Sequence, residues 1–326
     1  MNIMEWVRVG RIHTAAETMP ITLLGYVLAG GNNPITGVGW LLFGLLWHYV
    51  GFLQNNILDY EYDRRDPEKQ HFPLVSGRIK LVDAVVVESV GLIVLAVSGL
   101  LLGGRNTYST TFLIAGIVSG TLYNLTSKKT LLKPIPIAIC FASLPAISYT
   151  SVRPPDTTMW LLFFAVFTTI LYQIGFSGEL KDIRQGERNI LLRLGSLKNV
   201  AVYAIALKST NIATILTLGY ATSEGTETLT RLSALTIALL ASILLIDITV
   251  KQLKDYEKAV DMTEEWRDRD KALKNMSYVE ILTYITLIIS LTPVLGTTSP
   301  LYILLPIAWF AAMNRIIFGT TSYPKV

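Results

Sequence analysis

The stretch Gln54-Asn55-Asn56-Ile57-Leu58-Asp59-Tyr60-Glu61-Tyr62-Asp63-Arg64-Arg65-Asp66 gathers acidic and amide side chains where a long apolar run ends. On a helix Asn55, Asp59 and Asp63 recur every four residues and share one face, with Asn56 and Asp66 beside it. Two carboxylates and amide oxygens at one-turn spacing suit magnesium. This hard cation takes oxygen ligands, keeps several waters and bridges a few carboxylates to substrate phosphates. A solvated helix end also carries mixed charges. Here both signs and two asparagines converge where the helix leaves an apolar segment, a costly placement that points to function.

After Pro67 to Gln70 comes His71-Phe72-Pro73-Leu74-Val75-Ser76-Gly77-Arg78-Ile79. From Asn55 to Ile79 the chain resembles the first signature of the UbiA superfamily of intramembrane prenyltransferases. That signature has an Asn/Asp pair, aspartates four residues apart, an arginine-proline-leucine-like segment and Ser-Gly-x-Ile. The chain departs from it at Asn56, where the family usually has Asp, and at Phe72, where an arginine often precedes the proline. Asp59 and Asp63 are retained. Tyr123 with Lys128 and Lys129 is similar to the tyrosine and lysine of the family's loop between its fourth and fifth helices, which helps hold the diphosphate.

The family's second motif is Asp-x-x-x-Asp-x-x-x-Gly followed by Leu-Gly, and the region Gly178 to Gly195 resembles it in part. With Asp182 as the second aspartate, Gly186 and Leu194-Gly195 match, and Gly178 stands where the first aspartate belongs. Glu179 is the neighbour of that glycine and lies three residues from Asp182, so its longer carboxylate shares the helix face and is the candidate substitute. A site with Asp182 as the single surviving ligand is the other reading.

The resemblance implies a reaction. A polyprenyl diphosphate has an anionic head that leaves as pyrophosphate, and Mg2+ clamped between acidic helix ends would neutralise the charge that develops as the C–O bond breaks. The expected metal ligands are Asn55, Asp59, Asp63, Glu179 and Asp182, with Asp59, Asp63 and Asp182 as the catalytic carboxylates. Asn55, Arg78, Tyr123 and Lys128 are expected on the diphosphate, where guanidinium and ammonium groups make charge-assisted hydrogen bonds. The prenyl group then passes to an acceptor, a small molecule or a lipid. A UbiA-type terpene cyclase would share the ionisation and quench the cation within its own chain; the departures at Asn56 and Gly178 fit it too. A transporter binding an ion at the acidic residues is a reading from another class. It is disfavoured because the clusters sit at helix ends on one side, whereas a carrier site is expected near the bilayer midplane.

What must position these residues is a set of membrane helices. In 326 residues, 51% are hydrophobic and only 16% are charged, with a mean hydropathy of +0.47, more than a soluble domain hides. Apolar segments run approximately over Ala16–Gly31, Val38–Leu58, Leu81–Leu102, Ser109–Leu125, Pro134–Thr150, Met159–Ser177, Asn199–Tyr220, Leu229–Val250, Tyr278–Leu295 and Pro300–Phe318. Backbone polar groups find no water in hydrocarbon, so these are helices. The expected fold is all-α, a single domain over residues 1–326. It is a bundle of about nine or ten transmembrane helices around a central cavity open to the cytoplasm.

The amino terminus and the connections after the second, fourth, sixth and eighth segments hold most of the 28 Lys and Arg residues, the opposite loops only Arg105, Arg153 and Arg231. The positive loops place the active face on the cytoplasmic side of a multi-pass protein of the cell membrane. The net charge of +4 is interleaved with carboxylates where topology puts it, and no nucleic-acid partner is expected. Residues Met1 to Gly10 lack a short apolar run ending in a small-residue cleavage site, so no removable signal is expected. The lone Cys140 lies in an apolar run and reads as a small buried hydrophobe. Among polar residues within spans, His48 is expected to make a helix-packing hydrogen bond. Lys208 with Asn211 marks either the acceptor side or a buried pair with a carboxylate such as Glu88, and Asp247 is expected to pair with Lys251.

Overall fold

The computed structural model describes residues 3–127, 129–181, 189–260 and 269–319. Every regular element among them is helical. Helix α1 (Ile3–Val9) ends at Arg11, whose left-handed backbone (φ 46°) turns the chain into a 3-10 segment, Ile12–Ala16, ahead of α2 (Thr18–Leu28). Helix α3 (Pro34–Leu58) starts sharply because Asn33 Oδ1 accepts from the backbone N–H of Ile35 and Thr36, and Pro34 at the first position needs no donor. One further turn, α4 (Tyr60–Asp63), follows it.

Then come α5 (Leu81–Leu102), α6 (Thr107–Thr126), α7 (Pro134–Thr150) and α8 (Thr157–Tyr172). Helix α8 runs on through a π-helical turn, Gln173–Gly178, into the short α9 (Glu179–Lys181). The rest comprises α10 (Ile190–Leu194), α11 (Leu197–Thr222), α12 (Thr228–Val260), α13 (Arg269–Ser290), α14 (Thr292–Leu295) and α15 (Ser299–Phe318).

Six helical stretches are long and apolar enough to cross a bilayer: Pro34–Leu58, Leu81–Leu102, Thr157–Gly178, Leu197–Thr222, Thr228–Glu257 and Thr292–Phe318; Pro134–Thr150 and Tyr278–Ser290 are apolar but shorter. In Leu81–Leu102 only 11% of the most apolar window is buried within the protein, and Val82, Val86, Ile93 and Leu101 are exposed. Such a surface needs hydrocarbon around it. The chain is a multi-pass membrane protein.

Four of the ten expected segments have no counterpart among these six: Ser109–Leu125 and Pro134–Thr150 each form a single helix, α6 and α7, whereas the other two do not. Between Ala16 and Gly31 the regular α-helix has 11 residues, about 16 Å of rise, because the chain enters through the 3-10 turn. The segment Tyr278–Leu295 breaks after Ser290: Pro293 cannot continue the helix, and Gly296 (φ 56°) turns the chain. Within the expected cytoplasmic loop from Lys251, the first residues extend α12 to Val260.

The chain divides into two compact units, the first of residues 1–125, 143–155 and 304–326, the second of residues 126–142 and 156–303. In the first, α2 lies so close to α3 that a Cβ on Gly44 would stand 2.8 Å from the Thr18 carbonyl oxygen. Ser148 donates to the Thr22 carbonyl at 2.6 Å and Ser109 to that of Ile147 at 2.9 Å. Small and hydroxylic residues thus bring backbones together where no hydrophobic effect drives helices to associate. His48 Nε2 lies 3.0 Å from Thr14 Oγ1 and 3.2 Å from the Arg11 carbonyl, the helix-packing role expected of it.

In the second unit Tyr172, Phe176, Leu180, Leu191, Val200, Leu245 and Tyr256 form a buried core. Polar groups thread through it. The Tyr172 hydroxyl donates to Gln252 Oε1 at 2.8 Å, and Gln252 Nε2 donates to Ser177 Oγ at 3.0 Å. Lys208 Nζ donates to Thr283 Oγ1 at 3.2 Å and lies 3.9 Å over the Tyr172 ring, so it is held by a hydroxyl and a π face. Glu88 instead accepts from Gln54 at 2.9 Å. Asp247 and Lys251 pair at 2.6 Å, one turn apart.

Candidate active site

The first acidic motif is built by helix periodicity. Asp59 closes α3, its N–H donating to the Asn55 carbonyl at 2.9 Å, and the Asp63 N–H donates to the Asp59 carbonyl at 2.8 Å. The three residues therefore stand on successive turns across the junction of α3 and α4, although the helix is interrupted there. Both carboxyl residues are buried, Asp59 at 8% and Asp63 at 5% exposure, where an unpartnered charge would be expensive. Asp63 Oδ1 receives Lys69 Nζ at 2.6 Å. The Asn55 amide donates to Asn124 Oδ1 at 3.3 Å, while Asn124 donates to Gln54 Oε1 at 2.9 Å and to the Gly51 carbonyl at 3.3 Å. Asn124, on α6, was missed in the sequence; its only signal was an amide inside an apolar helix.

The Ser-Gly-Arg-Ile turn folds back on the end of α3. Gly77 adopts φ 74°, open to glycine at no steric cost, and the Ile79 N–H closes the turn on the Pro73 carbonyl at 3.0 Å. Leu74 and Ile79 then bury against Leu53 and Val9. Arg78 is half exposed and held from three directions. Its Nε lies 3.0 Å from Ser76 Oγ and 3.4 Å from Glu5 Oε2, and its guanidinium also donates to the His71 carbonyl. Tyr123 is partly buried on α6, beside Asn124. Lys128 lies outside the described residues.

The second motif is built differently. Glu179 follows the π-turn, is 1% exposed, and has both carboxylate oxygens engaged. Lys133 Nζ is 2.6 Å from Oε1, and the Ile190 N–H donates to Oε2 at 2.9 Å. Asn189 donates to the Glu179 carbonyl at 2.6 Å, while its Oδ1 caps α10 by accepting from Leu191 and Leu192. Lys133, just before α7, belongs in the sequence to the basic connection after the fourth apolar segment. No feature of the sequence tied it to Glu179. Asp182 and Gly186 lie outside the described residues.

All-helical architecture, several apolar spans and acidic residues stacked at the end of one of them define a class of intramembrane protein. The model of the UbiA prenyltransferase family matches residues 18–255, which include Asn55 to Ile79, Tyr123 and the Glu179 region. The chain belongs to this family. Solved structures of similar fold include one described as giving structural and mechanistic insight into a digeranylgeranylglyceryl phosphate synthase in membranes, with a TM-score of 0.65, 20% identity, and 89% of this chain and 96% of that chain covered. A UbiA homologue from Aeropyrum pernix K1, in its apo state, aligns with a TM-score of 0.63 at 18% identity, over 87% of this chain and 98% of its own. A homologue from Archaeoglobus fulgidus bound to GPP and Mg2+ gives 0.58 at 14% identity, over 89% and 99%. Curated protein sequences yield no match.

Proposed function

We propose that this chain is an intramembrane prenyltransferase, a single domain over residues 1–326, that ionises a polyprenyl diphosphate and transfers the prenyl group to a small-molecule or lipid acceptor. The observation that carries it is the stack of Asn55, Asp59 and Asp63 on successive turns at the end of a spanning helix. Hard oxygen donors of this kind fit magnesium. Among the described residues no three His, Cys, Asp or Glu side chains converge to cage a metal, and Mg2+ is normally held by one or two carboxylates with phosphate and water completing its shell. Bound there, Mg2+ would offset the negative charge that develops on the departing pyrophosphate. Family membership, and a homologue of this fold bound to GPP and Mg2+, support the same reading.

In this reading Asp59, Asp63 and Asp182 are the catalytic carboxylates and share the metal-ligating role with Asn55 and Glu179. Glu179 must exchange Lys133 for the cation to take part. Asn55, Arg78, Tyr123 and Lys128 bind the diphosphate oxygens, Arg78 from a guanidinium already oriented by Ser76 and Glu5. The apolar spans exclude water from the prenyl cation and offer its tail a hydrocarbon path. The active face is cytoplasmic and the membrane is the cell membrane, as the distribution of basic loops suggests.

The deciding experiment incubates purified protein with labelled prenyl diphosphates of several lengths, with and without candidate acceptors, and with EDTA. Acceptor-dependent, magnesium-dependent prenylation is expected. A cyclised hydrocarbon formed without acceptor would assign the chain to the membrane terpene cyclases, and full turnover in EDTA would sink the ionisation mechanism.

A further inference from the structure

The family match begins at residue 18, yet two residues of the first signature are held by the helix that precedes it. Asn56 Nδ2 donates to the Val9 carbonyl at 2.8 Å and to the Phe52 carbonyl at 2.9 Å, and its side chain is buried. A carboxylate at 56, the residue usual in the family, has no hydrogen to give once ionised. It would set its oxygens against two carbonyl oxygens with neither satisfied. Across the same helix, Glu5 is 6% exposed, a depth that carboxylates tolerate only when paired. Its Oε1 takes Arg8 at 3.0 Å; its Oε2 makes no hydrogen bond among the described residues and lies 3.4 Å from Arg78 Nε, an ion pair held by charge alone. Arg8 also donates to the Ile317 carbonyl at 3.0 Å, fastening α1 to the end of α15. Trp6 and Val9 complete the contact against Leu53, Leu74 and Ile79.

The geometry points to α1 as a positioning element of the first motif. The Val9 carbonyl fixes the end of α3 through Asn56, and the Glu5 carboxylate fixes the guanidinium of Arg78. The departure at position 56 is then an exchange of a carboxylate for a dock. An amide serves α1 where an aspartate would serve a cation, and Asp59 and Asp63 are left to do the latter. Glu5 acts only through Arg78, and its effect on substrate rests on the diphosphate-binding role proposed above.

The test uses the full chain in detergent and compares the parent with E5Q, N56D, R78Q and E5Q/R78Q, reading hydrogen–deuterium exchange and prenyl-diphosphate kinetics together. E5Q and N56D are expected to raise exchange in peptides over residues 71–79 while those over 157–172 stay unchanged. E5Q is expected to raise KM about two- to fivefold, the worth of a partly exposed ion pair, and to add nothing in the R78Q background. N56D is expected to lower turnover although it restores the family's residue. Unchanged exchange over 71–79 in E5Q, or an E5Q effect of equal size with and without Arg78, would overturn the positioning role. N56D with parental exchange and parental turnover would remove Asn56 from it. Should N56D not fold, E5Q, which keeps the shape of the side chain, carries the test. Should the parent turn over no prenyl diphosphate, the functional reading fails and the exchange measurement alone decides the role of α1.

Discussion

The two acidic helix ends use the same residue types and hold them in opposite ways. In the first, one polar side chain per turn is presented by α3 and α4, and the ion pair from Asp63 reaches only to Lys69, six residues on and partly exposed. In the second, Glu179 comes off a π-turn and is pinned between Lys133, far back in the chain, and the backbone of Ile190. Helix periodicity stacks the first set of side chains, with Asn55 also tied to Asn124 and Asp63 to Lys69. The second is placed by tertiary ties, and in both motifs a carboxylate has a lysine to leave before it can take a cation. π-Turns inside α-helices recur at functional sites, and here one sits where the sequence departs from the family's spacing. The contrast is one of construction: the first motif is an oxygen array laid out along one helix end, and the second is a strut that also has the chemistry of a ligand.

The largest effect should come from the first motif. Asp59→Asn and Asp63→Asn are each expected to lower turnover by about a thousandfold or more, because they remove charge stabilisation made chiefly as the leaving group departs. The proteins should remain folded, since an amide still fills each buried site. Radiolabelled product formation with size-exclusion profiles in detergent measures both. If Asp63→Asn loses less than tenfold, Asp63 is a partner of Lys69 and not a ligand, and the contrast between the motifs narrows.

That contrast also decides what the sequence could disclose. Leu81–Leu102 and Pro134–Thr150 coincide with helices to the residue, because hydropathy, glycine and proline mark their ends. The stack of Asn55, Asp59 and Asp63 was legible for the same reason: a helix converts spacing into adjacency. The 3-10 entry that shortens the first helix was not, since Arg11, ahead of the first segment, takes a left-handed backbone that no local residue preference announces. Nor was the pairing of Lys133 with Glu179, of Glu5 with Arg78, or of Lys208 with the face of Tyr172. Each needs distant segments brought together, and a basic residue near a helix end carries the same topological signal whether or not it has a buried partner.

The next effect tests the strut. Lys133 and Glu179 are both buried and lie 2.6 Å apart. Breaking such a pair from one side leaves an uncompensated charge and costs about 3–5 kcal/mol, whereas removing both charges is often close to neutral. Lys133→Met and Glu179→Gln should each lower thermal stability in detergent, and the double variant should recover most of the loss. If the double variant is as unstable as the sum of the singles, the two side chains do not act as a pair and Glu179 is placed by its other contacts, those to Ile190 and Asn189 among them.

The smallest expected effect is the most discriminating. Glu179→Gln by itself confuses two losses, that of a partner for Lys133 and that of a candidate magnesium ligand, so the question has to be asked where the strut is already gone. In a Lys133→Met background, adding Glu179→Gln should raise the magnesium concentration for half activity on the order of tenfold if the carboxylate ligates, and leave it unchanged if it only braces. Gly178→Asp added to that pair then restores the family's four-residue spacing to Asp182 in the sequence. A Cβ at 178 would stand 3.2 Å from the Gln173 carbonyl oxygen, so the π-turn must give by a few tenths of an ångström to admit it. Partial recovery of the magnesium dependence in the triple variant would show that position 178 or 179 must supply a carboxylate. No change on adding Glu179→Gln and none on adding Gly178→Asp would leave Asp182 as the one ligand of the second motif, and the two acidic helix ends would then differ in function as they do in construction.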